Sequence, residues 1–381
     1  MKKLFILTTL LCAFVMALHA QNVQYLPLYT EGAFSAKGVD IELPVGYTAG
    51  AINVSPTGGA SYTIPITLPP GTKGVVPSVS VVYSSQGGNG MMGLGWNIAG
   101  LSAISRTGKN MHYDGEVSPV KLNIEDFFAL DGNRLEADAT SIYHTKMETF
   151  SKITPYGNSV GNPSWFKVEA KNGMVYEYGN TVDSKYQDEA NTTTISWQLN
   201  KMSDQYGNYV QYVYEMNGRE LRIKEINYTG SATFLPYNKI AFNYANRDDN
   251  SKYYIAGSII EQKSLLTGIV VSTESNQIVK TYNFNYAKDY NYSYLIEIIE
   301  HGSEGTTLNS TIFKYGNETP LTTSLSEEEI TTGASLEGPT DFFTGDINGD
   351  GYTDIVQAPY SLQDGIKMHS KFKVFLRNKV K

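Results

Sequence analysis

Residues 195–214, ISWQLNKMSDQYGNYVQYVY, decide the fold class of this chain. The runs 195–199 and 209–214 are rich in aromatic and β-branched residues, which fit the pleated surface of a β-sheet. Between them, Tyr206-Gly207-Asn208 supplies residues that accept a positive φ, as a tight hairpin turn requires. The stretch therefore predicts two strands joined by a short turn.

Short runs of the same kind recur along the chain and extend this prediction to the whole molecule. Pro69-Pro70-Gly71 separates the first two runs, because proline fixes φ and glycine accepts a positive value. Helical periodicity is scarce, so the sequence predicts an all-β fold, a multi-sheet β-sandwich or β-shell. The further predicted strands are residues 62–66, 79–83, 165–168, 175–178, 240–244, 265–269, 279–286, 297–300 and 311–315.

Tyrosine is unusually frequent, with 28 copies. Tyr-Gly-Asn recurs at irregular spacing, which argues against a strict repeat architecture. We expect the tyrosines to pair across strands, with the ring packed and the phenol in water at the sheet rim. A sugar-stacking platform is the less favoured alternative.

Composition and charge exclude several classes of protein. Apolar residues make up 41% of the chain and charged residues 18%, which excludes a coiled coil, a helical bundle and a disordered tail. The 30 Lys+Arg against 38 Asp+Glu give −8, and loss of Lys2 and Lys3 with residues 1–20 leaves 28 against 38, or −10. Nucleic acids and anionic membranes bind clustered positive charge, so neither is expected as a partner.

The first twenty residues have the pattern of a secretory signal peptide. Met1-Lys2-Lys3 precedes the apolar run 4–18, and small and polar residues surround a cleavage point after Ala20. The apolar run is shorter than the roughly 20 residues of a membrane span, and no later stretch suits one. We expect export to the periplasm, the cell surface or the medium. The only cysteine, Cys12, is removed with this segment.

The rest of the chain divides into four predicted parts. Residues 21–54 read as an extended N-terminal arm, and residues 55–320 as the main β domain. Residues 321–338 are polar, contain Glu327-Glu328-Glu329 and lack aromatics, which indicates a linker. Residues 339–381 read as a partial β-propeller-like repeat.

An oxygen-rich loop near the C-terminus predicts a calcium site. A hard cation such as Ca²⁺ takes about six to eight oxygen ligands. Gly351 allows the sharp turn that such a loop needs. The predicted ligands are Asp346, Asn348, Asp350, Tyr352 through its backbone carbonyl, and Asp354.

The flanks of this loop distinguish it from an EF-hand. Phe342-Phe343 and Ile355-Val356 read as strands, and Gln357 stands where an EF-hand carries glutamate. The loop resembles the calcium-binding turn of FG-GAP or VCBS β-propeller repeats, which implies a structural Ca²⁺. An Asx-rich turn without metal is the alternative. Residues 372–376 are expected to form the next strand of the repeat, without a partner.

Glycines crowd residues 87–96, which end at Trp96. A phosphate-binding loop would need a parallel βα unit and a helix N-terminus, and the sequence shows neither. The segment therefore predicts close backbone packing around a buried tryptophan.

Enzyme chemistry finds little support in the sequence. The mature chain has no thiol, and its four histidines (His112, His144, His301 and His369) lack ligand spacing. Glu125 and Asp126 are adjacent, so on a strand they would point to opposite faces and not flank one substrate. We expect both to be solvated surface side chains and the protein not to be an enzyme.

A set of motifs carries a family resemblance over roughly residues 40–320. The combination resembles the N-terminal domain of the Salmonella virulence plasmid B protein family, shared with B components of bacterial Tc toxin complexes. The matching features are Tyr62-Thr63-Ile64-Pro65-Ile66, Pro69-Pro70-Gly71, Pro77, Tyr83-Ser84-Ser85, Gly93-Leu94-Gly95-Trp96, Ile104-Ser105-Arg106, residues 128–135, Trp197 and residues 204–208.

The resemblance implies a secreted module of a toxin-delivery or Rhs/YD-repeat protein, whose large β shell encloses an effector. In the virulence protein that effector is an ADP-ribosyltransferase that acts on actin, and nothing in this sequence matches it. We therefore expect a non-enzymatic scaffold or assembly module, with a downstream Rhs or Tc shell or effector polypeptide as its partner. A calcium-dependent adhesin or glycan-binding protein acting at a host surface is the alternative. Because proteins of this type are far longer, the resemblance implies a fragment, a truncated reading frame or a split gene.

Overall fold

The computed structural model describes residues 22–28, 40–44, 46–157, 161–289, 291–315, 339–345, 347, 354–363, 366–369 and 373–375. The chain forms two compact units, Met1–Asn317 and Glu318–Lys381. Strands account for 59% of the structure and helix for 2%, which confirms the all-β, multi-sheet prediction. The predicted signal peptide and linker lie outside the described residues. The described residues contain no helix with the length and hydropathy of a membrane span.

The N-terminal part of the first unit contributes seven short strands, of which four form one antiparallel sheet in the order β2-β3-β4-β7. Strand β1 instead pairs in parallel with a later strand, with Tyr25 opposite Tyr286. The described parts of the predicted N-terminal arm therefore join two different sheets. The strands are β1 (Tyr25–Leu26), β2 (Ala51–Val54), β3 (Ala60–Pro65), β4 (Ser80–Ser84), β5 (Asn89–Gly90), β6 (Gly93–Leu94) and β7 (Trp96–Ala99).

Eight antiparallel strands then close into a barrel, and β15 pairs beside it with β16. The ring runs β8-β9-β10-β11-β12-β13-β14-β16 and closes where Ser196 on β16 lies opposite Ser105 on β8. A four-residue helix, α1 (Met111–Asp114), lies between β8 and β9. The strands are β8 (Ala103–Thr107), β9 (Phe127–Leu130), β10 (Asn133–Ala137), β11 (Tyr143–Thr145), β12 (Lys152–Tyr156), β13 (Trp165–Glu169), β14 (Val175–Tyr178), β15 (Lys185–Gln187) and β16 (Thr194–Ser203).

The hairpin predicted from residues 195–214 connects the barrel to a long antiparallel meander. Ser203 lies opposite Tyr209, and Gly207 in the turn has φ +81°, which glycine adopts without strain. Each meander strand pairs with the next. The strands are β17 (Tyr209–Asn217), β18 (Glu220–Gly230), β19 (Asn238–Ile255), β20 (Ser258–Thr273), β21 (Gln277–Asp289), β22 (Tyr292–Gly302) and β23 (Thr311–Ile312).

The four-stranded sheet and the meander share one hydrophobic core. Ile64, Val81 and Ile269 belong to the same cluster of buried side chains. The backbone N–H of Thr67 donates to the Tyr282 hydroxyl at 3.1 Å, which ties the sheets together. The first unit is thus a β-sandwich joined to a barrel.

The described residues of the second unit form a four-stranded antiparallel sheet around β25. Its strands are β24 (Thr340–Gly345), β25 (Asp354–Gln363), β26 (Ile366–His369) and β27 (Lys373–Phe375). The expectation of an unpartnered last strand is wrong, because β27 pairs with β25 with Phe375 opposite Ile355. That this sheet is part of a β-propeller remains a prediction.

Candidate functional site

The predicted calcium loop is described only at its end. Asp346, Asn348, Asp350 and Tyr352 lie outside the described residues. Asp354 begins β25, is fully buried, and accepts a hydrogen bond through Oδ2 from the backbone N–H of Ile347 at 2.9 Å. Its partner across the sheet is Gly345, so the loop connects two antiparallel strands as predicted.

This geometry is compatible with a cation-binding turn. A buried carboxylate at the base of a hairpin loop is of the chemical type that Ca²⁺ binds. Within the described ranges, no cluster of three or more His, Cys, Asp or Glu side chains is placed to hold a metal. The calcium site remains a prediction.

The glycine-rich segment packs closely around Trp96, as the sequence predicts. The indole is 2% exposed, and its Nε1 donates to the Tyr315 hydroxyl at 2.9 Å. A Cβ atom on Gly90 would lie well inside van der Waals contact of the Trp96 carbonyl oxygen. Glycine is therefore required for this backbone approach.

A buried ion pair joins this segment to the meander. Arg247 on β19 is 2% exposed, and its Nε and Nη2 donate to the two carboxylate oxygens of Asp249 at 2.8 and 2.7 Å. Nη1 also donates to the Gly90 carbonyl at 2.9 Å, and Nη2 to Asn89 Oδ1 at 2.5 Å. The guanidinium therefore binds a carboxylate and the glycine-rich strand at the same time.

Asp249 is held from two further elements. Ser293 on β22 donates to it through its backbone N–H at 2.9 Å and its hydroxyl at 2.5 Å, and Asn89 Nδ2 donates at 3.0 Å. Burial alone would raise the pKa of Asp249, but the hydrogen bonds from Arg247 and Ser293 and the guanidinium charge hold it below its ordinary value. We name Asn89, Arg247, Asp249 and Ser293 the Arg247 clamp.

The N-terminal strand attaches to the same clamp. The Tyr25 hydroxyl lies 3.0 Å from Ser293 Oγ, and the backbone N–H of Asp248 donates to Tyr25 at 3.3 Å. The clamp thus connects β1, the glycine-rich segment, β19 and β22. It lies where the pairing of β19 with β20 is interrupted between Asn246 and Ser251, a bulge that lets side chains turn inward.

A second buried arginine closes the barrel. Arg106 on β8 donates to the carbonyls of Thr194 at 2.6 Å and Gly161 at 2.7 Å. It also pairs with Asp126 at 3.2 Å, with both side chains at most 2% exposed. Burial lowers the pKa of Arg106, and the Asp126 charge opposes that shift. Arg106 therefore fixes loops of the barrel through these hydrogen bonds.

The barrel interior is filled by aromatic rings. Phe128, Phe166 and Trp197 meet edge to face with centroids 5.1–5.5 Å apart. Such contacts stabilise a core beyond the burial of area alone. A small barrel filled in this way is a packed core and not a pore.

Two expectations about polar residues are wrong in part. Glu125 is exposed and pairs with Lys121, but Asp126 is buried against Arg106 because the guanidinium compensates its charge. Several phenols also lie inside the protein instead of at a wet rim. Tyr214 donates to the Leu199 carbonyl at 2.8 Å and Tyr286 to the Leu266 carbonyl at 2.5 Å.

Burial raises the pKa of both of these tyrosines well above the ordinary value. They therefore act as neutral donors that satisfy backbone carbonyls inside the core. The high density of tyrosine in the predicted strands was the sequence signal for these buried rings. It did not indicate which of the phenols are buried.

The sequence matches the profile of one protein family over residues 54–277, which is more than half of the chain. That family is described as Salmonella virulence plasmid 65kDa B protein. The chain belongs to this family. The matched range includes Arg106 and three of the four residues of the Arg247 clamp, so both buried arginines lie within the virulence plasmid B domain. The fourth clamp residue, Ser293, follows the matched range.

Relatives in the virulence plasmid B family are longer than this chain. The proteins named mono(ADP-ribosyl)transferase SpvB from Salmonella typhimurium and Salmonella dublin are each 27% identical over 193 residues. The match covers 43% of this chain and 32% of theirs. The chain therefore spans about a third of the length of these relatives.

Solved structures share the fold of this virulence plasmid B chain. The N-terminal domain of effector protein SpvB from Salmonella typhimurium strain LT2 has a TM-score of 0.54 and 18% identity, and the match covers 63% of this chain and 98% of that domain. The crystal structure of TcdB2-TccC3 has a TM-score of 0.64 and 15% identity, and the match covers 89% of this chain and 21% of the TcdB2-TccC3 chain. The Photorhabdus luminescens Tc holotoxin pore has a TM-score of 0.65 and 17% identity, and the match covers 90% of this chain and 20% of the holotoxin chain.

Proposed function

We propose that this chain is a secreted, non-enzymatic scaffold and assembly module of a Tc-toxin-B-like or Rhs-like toxin-delivery protein. The observation that carries the proposal is the match to almost the whole solved N-terminal domain of SpvB, together with a match to only about a fifth of the Tc toxin chains. A module that corresponds to one part of a larger assembly is expected to act through the polypeptide around it.

The use of buried charge supports a structural role. Arg106, Arg247 and Asp249 are buried, and the hydrogen bonds described for each join separate elements of the same unit. Catalytic acids and bases instead sit where a substrate can reach them. These buried charged residues therefore stabilise the unit by connecting its strands and loops.

The proposed partner is a downstream Rhs or Tc shell or effector polypeptide, on the same or a neighbouring chain. Export through a signal peptide cleaved after Ala20 and a structural Ca²⁺ in the loop that ends at Asp354 are parts of the same proposal. Sequencing the N-terminus of the exported protein tests the first of these. A new N-terminus at Gln21 supports it, and retention of Met1 contradicts it.

Co-expression tests the assembly role. Tagged residues 21–381 are produced with a Rhs or Tc shell polypeptide of the same organism and purified on the tag, with an unrelated exported β protein as the control bait. We expect the shell polypeptide to elute with the tagged chain only. In a parallel assay with NAD⁺ and actin, the chain alone is expected to transfer no ADP-ribose. Turnover by the purified chain, or equal recovery with the control bait, would contradict the proposal.

A further inference from the structure

A cleft of about 620 Å³ opens in the first unit between the outside of the barrel and the meander. Its volume falls in the range of roughly 300–1,000 Å³ that is usual for small-molecule sites. Strands β8 and β16 provide one wall, and β18, β19 and β20 provide the other. The Arg247 clamp borders it through Asn89, but the assembly role proposed above does not use it.

The barrel wall of the cleft is polar. Trp197 points into the barrel core, so its neighbours Ser196 and Gln198 on β16 point outward, because successive side chains on a strand alternate. Ser105 on β8 lies directly opposite Ser196 and lines the same wall. Two hydroxyls and one amide therefore share a surface that faces the cleft.

The meander wall is aromatic. Tyr244 and Tyr253 on β19 line it, and the amide of Gln262 lies beside them. The Tyr244 hydroxyl donates to the Ile223 carbonyl at 2.7 Å, which fixes that ring. Tyr253 is 53% exposed and offers its ring to the opening. Rigid tyrosines supply contact area at a low entropic cost.

Four charged side chains line the cleft, and each is bound by other groups of the protein. Arg106 pairs with Asp126, and Glu220 accepts a hydrogen bond from the Ser264 hydroxyl at 2.7 Å. Arg222 pairs with Glu215 at 2.6 Å, and its guanidinium lies 4.5 Å from the centre of the Tyr244 ring. Glu261 pairs with Lys263 at 3.1 Å, and the hydrogen bonds from the Arg219 backbone N–H and from Lys263 lower its pKa to about 2. A ligand of this cleft therefore meets hydroxyls, amides and aromatic faces, beside charged groups whose hydrogen bonds or ion pairs are already made within the protein.

We propose that this cleft binds a neutral oligosaccharide. A sugar presents hydroxyl groups to hydrogen-bonding side chains and an apolar ring face to aromatic rings, and the two walls match these two surfaces. An acidic ligand would find no unpaired cation among the charged groups named above. This proposal does not rest on the assembly role, so the glycan assay and the co-purification assay test the two proposals separately.

Glycan binding by the folded mature chain tests the proposal. Residues 21–381 are applied to an array of neutral and acidic oligosaccharides, and the strongest neutral probe is then titrated by calorimetry. Tyr253→Ala is compared with Tyr254→Ala, which removes the next, also exposed, tyrosine outside the cleft. We expect Tyr253→Ala to weaken binding at least about tenfold, which is about 1.4 kcal/mol, and Tyr254→Ala to leave it unchanged.

Gln262→Ala provides a second variant on the polar part of the same wall and is also expected to weaken binding. Equal thermal unfolding midpoints of all three variants and the parent chain establish that folding is retained. Absence of binding to every neutral probe would overturn the proposal, as would selective binding of acidic probes that salt removes. Loss of binding in Tyr254→Ala equal to that in Tyr253→Ala would also overturn it.

Discussion

Replacing Asp249 by asparagine should destabilise the first unit strongly while changing almost no volume. The substitution leaves Arg247, which is 2% exposed, as a buried cation without its carboxylate. It also turns one oxygen that accepts from Ser293 or Arg247 into a donor, so at least one hydrogen bond is replaced by an opposed pair of donors.

The magnitude follows from the burial of the pair. Breaking a buried ion pair by removing one partner costs about 3–5 kcal/mol of unfolding free energy. Each kcal/mol lowers the unfolding midpoint by roughly 2–4 °C in a domain of about 150–250 residues. A fall of at least several degrees is therefore expected, with unfolding still cooperative if the clamp stabilises the unit as a whole.

Asp248→Asn is the matched control, because Asp248 is the exposed neighbour and pairs with Lys288 at 3.2 Å on the surface. Exposed pairs contribute about 0–1 kcal/mol, so this control should stay close to the parent chain. Both variants are measured by calorimetry and chemical denaturation at neutral pH. An Asp249→Asn midpoint no lower than that of Asp248→Asn would refute the role assigned to the clamp.

Three further predictions concern pH, backbone packing and metal. Arg134 donates two hydrogen bonds to Asp114 and lowers its pKa from 3.8 to about 2, so this contribution is complete above pH 4 or so and is lost as the pH falls toward 2. The unfolding midpoint of Asp114→Asn should therefore fall less between pH 4 and pH 2 than that of the parent chain. Identical pH profiles of the two proteins would contradict the stabilising role of this pair. A non-glycine residue in the left-handed region loses about 1–2 kcal/mol of unfolding free energy. Gly93→Ala should lose more than this, because its Cβ would meet a backbone oxygen. Gly58→Ala has a similar φ but open space around its Cβ, so it should lose only that amount. Equal losses in denaturant unfolding would disprove the steric argument. Ca²⁺ at a hundredfold excess over its dissociation constant should stabilise the native state by about 2.7 kcal/mol, and Asp350→Ala should abolish the effect. A thermal midpoint indifferent to Ca²⁺ would remove the proposed metal site.

Local sequence was sufficient for many of the strands and turns, because their signals come from neighbouring residues, but β8–β12, β15 and β18 were not among the predicted strands. The hairpin around Gly207 and the packing of the glycine-rich segment on Trp96 follow from alternation and from the need for a positive φ or a close approach. The motifs were also sufficient for the family, which the match over residues 54–277 shows.

Long-range pairing lay beyond what local sequence determines. Arg247 and Asn89 are 158 positions apart, and nothing in either segment indicates that the guanidinium binds the glycine-rich strand. The pairing of β8 with β16, which closes the barrel, is likewise a long-range contact that neither strand's own sequence indicates. Asp126 was expected on the surface because nothing in its own segment indicates that Arg106, 20 positions earlier, compensates its charge.

The cleft was also not predictable from single strands. Its polar wall results from the outward half of β16 and its aromatic wall from β19, and either pattern alone describes an ordinary half-buried strand. Only the fold of the barrel against the meander brings the two surfaces together.

The central claim is that the chain acts by assembling with a toxin shell polypeptide. Sedimentation of purified residues 21–381, alone and mixed with a Rhs or Tc shell polypeptide of the same organism, tests it most directly. The account predicts that the mixture sediments as one species whose mass is the sum of its components, and that Asp248→Asn does not change this. Two separate boundaries with the masses of the isolated proteins would contradict it.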